Sequence, residues 1–208
     1  YNTLREIFNR FKEAAKEPEG ELEHVNVYTL VVAVALSAQS TDAGVNKATK
    51  KLFQIADTPD KMLDLGEQGL IEHIKTIGLF RNKAKNVIKL SKILLEQYDG
   101  QVPNSRAALQ SLPGVGRKTA NVVLNMWWKH PAQAVDTHIF RVGNRTGVAP
   151  GKDVDAVERA IEDNVPADFQ LHAHHWLILH GRYHCKARKP LCSTSLIRDL
   201  CSFEDKEL

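Results

Sequence analysis

The sequence lacks any apolar stretch able to cross a bilayer. Its longest unbroken run, Leu30 to Leu36, falls far short of the roughly 20 residues a spanning helix needs. The N-terminus is amphipathic and charged, with no apolar signal-peptide core. A non-membrane, intracellular protein is the expectation, although a chain beginning at Tyr1 leaves a trimmed leader open. Cysteine is scarce: there are three, all within the last 24 residues. That excludes a disulfide framework, which would be even in number and spread along a small secreted chain, and points to a metal site instead. Internal repeats, low-complexity tracts and convincing strand pairs are also missing, which leaves an all-α fold.

What is present is ample for a packed core: 208 residues, 43% of them hydrophobic, enough for one domain or two small ones. The formal net charge is only +3, but it is unevenly spread. His73 to Lys92 carries six basic residues and no acid, and Arg182 to Cys192 carries four and none. Asp153 to Asp168 holds six acids against one arginine. A basic face of this kind fits a polyanion, while each run alone also reads as a solvated helix face.

The stretch that organises the chain is Leu112-Pro113-Gly114-Val115-Gly116-Arg117-Lys118-Thr119-Ala120-Asn121. Pro113 and two glycines make a turn that cannot continue a helix, and helical apolar spacing resumes at Ala120, Val123, Leu124 and Trp127. Bare amides at Gly114, Val115 and Gly116 are expected to meet a phosphate at the second helix's N-terminus, with Arg117 adding charge. Lys118 falls in the first turn. There the helix dipole and Arg117 disfavour the ammonium and favour the neutral amine, which can attack carbon and form a Schiff base with an aldehydic sugar. A short glycine motif with an ordinary surface lysine is the plainer reading of the same residues.

Elsewhere the spacing predicts a helix with Leu4, Ile7, Phe8, Phe11 and Ala15 on one face, ended at Pro18-Glu19-Gly20. A buried helix over Tyr28 to Leu36 follows, then one capped by Thr41 or Asp42 with Val45, Ala48, Leu52 and Phe53 inward. Short helices are expected over Pro59 to Leu65 and Gly69 to Ile77. A second glycine turn at Gly78-Leu79 leads into a long helix to Tyr98, closed by Gly100. Pro131 breaks the chain, and a helix begins at Asp136 or Thr137 within Val135-Asp136-Thr137-His138, where Asp136 alone reads as an N-cap. An acidic helix over Asp153 to Asn164 and an apolar, histidine-dotted one over Phe169 to His180 complete the pattern. Those histidines read as packing or surface residues rather than ligands. Leu79 is either core or, if exposed between basic residues, a wedge that unstacks a duplex.

Leu112 to Asn121, with Val135 to His138 downstream and a cysteine-rich end, resembles the endonuclease III family of helix-hairpin-helix DNA glycosylases from Leu30 to Cys201. The resemblance implies two helical lobes. One runs from residue 20 to 131 as a six-helix barrel containing the hairpin; the other combines residues 1–19 with 132–208. A cleft between them would set Lys118 opposite Asp136. It also implies a bifunctional enzyme acting as a monomer, in the bacterial cytoplasm or otherwise inside a cell, on damaged double-stranded DNA carrying oxidised pyrimidines. Lys118 would capture C1′, Asp136 would stabilise the positively charged sugar, and β-elimination would cut the strand. Gln39 would fill the gap left by the flipped nucleotide, and Leu79 would be the wedge. His138, with Thr137, would tune the pocket or merely pack. A non-catalytic DNA-binding module and a monofunctional mismatch glycosylase are the alternatives; the Lys118 and Asp136 pair argues against the first and Lys118 against the second.

The end reads Cys185-x6-Cys192-x2-Ser195-x5-Cys201, with Ser195 where the family's third cysteine belongs. Four thiolates would hold a [4Fe-4S] cluster shaping a phosphate-binding loop with Lys186, Arg188 and Lys189. With three, several outcomes are open: a serine-ligated iron, a three-iron cluster, or a site that is empty or holds zinc with a neighbour such as His184. Sulfur is the softer ligand, so any cluster is expected to be less stable than a four-cysteine one.

Overall fold

In the computed structural model, which describes residues 2–206, no strand occurs among the described residues. Tyr1, Glu207 and Leu208, the ends of the expected terminal lobe, lie outside them. Backbone contacts divide the chain into two compact units, Glu21–Trp128 and Tyr1–Gly20 with Lys129–Leu208.

The central unit contains α2 (Val27–Ser37), α3 (Asp42–Ile55), α4 (Pro59–Ile74), α5 (Phe80–Tyr98), α6 (Arg106–Gln110) and α7 (Arg117–Trp128). Helix α2 is its axle. Leu30, Val31, Val32, Ala33 and Leu36 are fully buried, and the helix packs against α3, α5 and α7. A helix apolar on every side must be surrounded, and each large side chain so buried contributes about 1.5–3 kcal/mol. Its entry is fixed by a reciprocal cap: the Thr29 amide donates to Asn26 Oδ1 at 2.8 Å, and the Asn26 amide donates to Thr29 Oγ1 at 3.0 Å.

The terminal unit contains α1 (Asn2–Ala14), α8 (Thr137–Thr146), α9 (Val154–Asn164), α10 (Gln170–Tyr183) and one 3-10 turn, Cys192–Thr194. Its core joins Phe8 and Phe11 of α1 to Phe169 and Trp176. Phe8 stacks on Phe169 with centroids 5.8 Å apart, and Trp176 Nε1 donates to the Ala15 carbonyl at 2.7 Å. The indole is thus buried with its one donor satisfied.

The two short helices expected after Pro59 are present as two stretches of α4, divided by non-helical backbone at Gly66. Helix α5 already turns left-handed at Asp99 (φ 53°), one residue before Gly100. The hairpin's first helix, α6, is five residues long and too short to show apolar periodicity. In α7, Trp127 is 41% exposed and packs edge-on against His24, whereas Asn121 and Asn125 are buried. Helical spacing identifies a face but not which of its margins meets a neighbour.

Candidate nucleic-acid interface and cysteine hollow

The hairpin between α6 and α7 is pinned from below. Leu109, Leu112 and Val115 are buried, while Gly114, Gly116, Arg117 and Lys118 face solvent. Val115 departs from expectation: its amide is not bare but donates to the Leu112 carbonyl at 3.1 Å, and its side chain plugs the turn at 5% exposure. The Gly114 and Gly116 amides donate to no backbone carbonyl among the described residues.

The two glycines have different reasons to be there. Gly114 has φ +78°, and a Cβ on it would also meet Asn86 Cβ at 3.1 Å. Gly116 has ordinary φ, and a Cβ there would meet nothing within 4 Å. No packing inside the chain accounts for Gly116. Lys118 stands exposed two residues further on, in the first turn of α7.

A second cluster lies in the same unit. Gln39 (φ 57°) and Leu79 (φ 56°) are both exposed and both left-handed, a conformation costly for residues other than glycine. Leu79 is 60% exposed. The two loops are neighbours, since a Cβ on Gly78 would lie 3.8 Å from the Gln39 carbonyl oxygen. Lys83 links them. Counted in the sequence among the basic run, it is instead 8% exposed, with Nζ donating to Ser40 Oγ at 3.0 Å. Burial holds its pKa below the ordinary lysine value. No local pattern separates this lysine from its exposed neighbours on α5.

In the terminal unit, Asp136 is the N-cap of α8: its Oδ1 accepts the Ile139 amide at 2.9 Å. Oδ2 accepts no hydrogen bond from any described residue, so the cap leaves one oxygen for other work. Thr137 is exposed, and His138 is half-buried. The His138 Nδ1 lies 3.2 Å from Arg141 Nη2. Because arginine can only donate, Nδ1 accepts and the ring proton sits on Nε2.

Arg141 also donates to the carbonyls of Cys185 (2.9 Å) and Gly181 (2.9 Å). Arg145, one turn further along α8, donates to the carbonyls of Lys186 (2.7 Å) and Ala187 (3.1 Å) and lies 4.8 Å from the Phe203 ring centre. These two arginines brace the cysteine loop and were not singled out from sequence; their i, i+4 spacing on one helix face was the available signal. The braced loop presents Lys186, Arg188 and Lys189 to solvent, Lys189 with φ 51°.

Cys185, Cys192, Cys201 and Ser195 line one hollow, partly open to solvent, with His180, His184, Arg198 and Phe203. The cysteines are free thiols. Among the described residues no three acidic, histidine or cysteine side chains converge on a point that could hold one ion. Thiols distributed around a hollow fit a polynuclear iron–sulfur group better than a single zinc. The hollow also has an unsatisfied wall: His184 Nδ1 is buried without a hydrogen-bond partner.

A helical fold whose glycine hairpin opens a lysine-bearing helix defines the helix-hairpin-helix class of DNA-binding repair proteins. Residues 32–167 match the family model of the HhH-GPD superfamily base excision DNA repair protein. Endonuclease III of Escherichia coli (strain K12) is 56% identical over 97% of this chain and 95% of its own length. That of Haemophilus influenzae is equally similar over the same shares. Among solved structures, a trapped endonuclease III–DNA covalent intermediate superposes with TM-score 0.89 at 42% identity, covering 97% of this chain and 95% of that one. A thermostable thymine-DNA glycosylase shares the fold, with TM-score 0.83 at 24% identity over 96% and 94% of the two chains. The chain belongs to the endonuclease III family of base-excision repair glycosylase/lyases. Among the described residues no helix is long and apolar enough to cross a membrane.

Proposed function

We propose that this enzyme, acting as a monomer inside the cell, removes oxidised or ring-saturated pyrimidines from duplex DNA and then cuts the strand at the abasic sugar. The observation that carries the reading is the place of Lys118: exposed, in the first turn of a helix, two residues past a glycine that no internal packing requires. Gly114, Gly116 and the Arg117 guanidinium grip a phosphate. The Lys118 amine attacks C1′ as the base departs with a proton, and the Asp136 carboxylate stabilises the positive charge that develops on the sugar. The resulting Schiff base acidifies C2′; loss of that proton expels the 3′ phosphate by β-elimination. Leu79 unstacks the duplex, and Gln39 offers its amide to the orphaned base. Val115 serves the turn from beneath, and His138 orients the entry to α8 through Arg141.

Cys185, Cys192 and Cys201 would hold an iron–sulfur cluster of the [4Fe-4S] kind, which would supply a cross-link beneath the loop whose Lys186, Arg188 and Lys189 meet DNA phosphates. The test is borohydride reduction with abasic duplex. The parent is trapped covalently, and K118Q is not, while still binding DNA. D136N slows base release about 10²–10³-fold with little loss of affinity. Trapping of K118Q, or equal losses of binding and release in D136N, would overturn the assignments.

A further inference from the structure

The cysteine hollow has three thiols where a cubane takes four ligands, and the residue at the vacant place in the spacing is Ser195. Besides the thiols, Ser195, His180 and His184 in its wall carry atoms able to bind iron, and of these only His184 has a buried nitrogen without a partner. They differ in how well the protein already satisfies them. Ser195 Oγ accepts the Ile197 amide at 3.3 Å and ends the short 3-10 turn, as a local serine cap does. His184 Nδ1 is buried with no partner, a condition that is unfavourable unless something outside the protein's own atoms binds it.

The imidazole is also held in place. The His184 amide donates to the His180 carbonyl at 3.0 Å, and its own carbonyl accepts the amides of Lys186 at 2.8 Å and Leu191 at 2.9 Å. Its ring stacks on His180 at 5.5 Å between centroids and 19° between planes. A ring fixed by its backbone and by a buried neighbour loses little freedom on coordinating a metal. Chemistry favours it as well. Iron accepts imidazole nitrogen readily, and imidazole binds in its neutral form, whereas serine must lose a hydroxyl proton before it can replace a thiolate.

Resting on the reading that this hollow holds an iron–sulfur cluster, we propose that His184 is its fourth protein ligand, through Nδ1, in a three-cysteine, one-histidine site with Ser195 uncoordinated. The bond formed is Nδ1 to iron, with the ring proton on Nε2 and no change of oxidation state. A neutral ligand in place of a thiolate leaves the cluster one charge less negative than in a four-cysteine site.

The test uses the full chain purified anaerobically, with iron and acid-labile sulfide counted and the paramagnetic form examined for nitrogen-14 hyperfine coupling. The parent is expected to carry about four irons and to show an imidazole nitrogen coupling. S195A should match it in both. H184Q should fall to about three irons and lose the coupling, and H184C should regain about four without it. The cysteine variant separates lost ligation from misfolding. Loss of iron in S195A with retention in H184Q would overturn the proposal, as would a parent that has its iron and lacks the coupling. A parent with zinc, or with neither iron nor sulfide, would overturn the cluster reading itself and this proposal with it; K118Q trapping stays independent of both.

Discussion

The two units hold their exposed loops by opposite means. In the central unit, Gln39, Leu79 and Gly114 sit at positive φ on turns anchored to a dry helical core, with α2 buried nearly all round. Their placement depends on backbone strain that the core enforces. In the terminal unit the basic loop after Cys185 has little apolar packing of its own. It is braced by carbonyl contacts from Arg141 and Arg145. One surface is stiff because its frame is packed, the other because charged donors hold it, and the two should therefore fail differently.

The largest expected effect falls on the brace. R145A removes two charge-assisted hydrogen bonds and leaves the Lys186 and Ala187 carbonyls without a protein donor. Proteolysis within Lys186 to Lys189 should rise sharply while hydrogen exchange of α2 stays unchanged; equal loosening of both would erase the contrast.

Acid should separate the units next. Burial lowers both His175 and His180 to about 4, and the unfolded chain titrates near the ordinary 6.5. The unfolded state therefore binds more protons between those values. The stabilising contribution of the two neutral rings is intact above pH 6.5 and is lost as pH falls towards 4, on the order of 1–3 kcal/mol per ring. Urea unfolding from pH 7 to 4, followed by exchange in each unit, should show the terminal unit weakening first, and H175F should flatten part of that slope.

The smallest effects probe the strain. L79G relieves a left-handed leucine at an exposed site and should stabilise the central unit by about 0.5–1 kcal/mol while weakening binding to damaged duplex. G114A should cost about 1 kcal/mol because of its φ and Asn86, whereas G116A should leave the melting temperature unmoved and still weaken binding to any DNA sequence. An L79G variant that binds damaged duplex as tightly as the parent would mean that the strained leucine serves neither folding nor binding.

Much of this molecule is written locally. The proline–glycine turn before Arg117, the Asp136 cap, the buried α2 and the Cys185–Cys192–Cys201 spacing all follow from neighbouring residues. Turn chemistry, capping and helical period act over a few positions, and these features were legible without coordinates. Most of the exceptions come from contacts distant in sequence. Lys83 looks like its solvated neighbours until Ser40, 43 positions away, is folded against it. Val115 looks like an open amide until the turn closes on Leu112. Arg145 reaches carbonyls 41 and 42 positions on. His184 is one more histidine until its nitrogen is sealed without a partner in the wall of the hollow that the three cysteines line. Sequence alone determined which chemistry the chain carries and where its helices start. Only the tertiary structure decided which polar groups are satisfied, because burial and pairing depend on the whole packed chain.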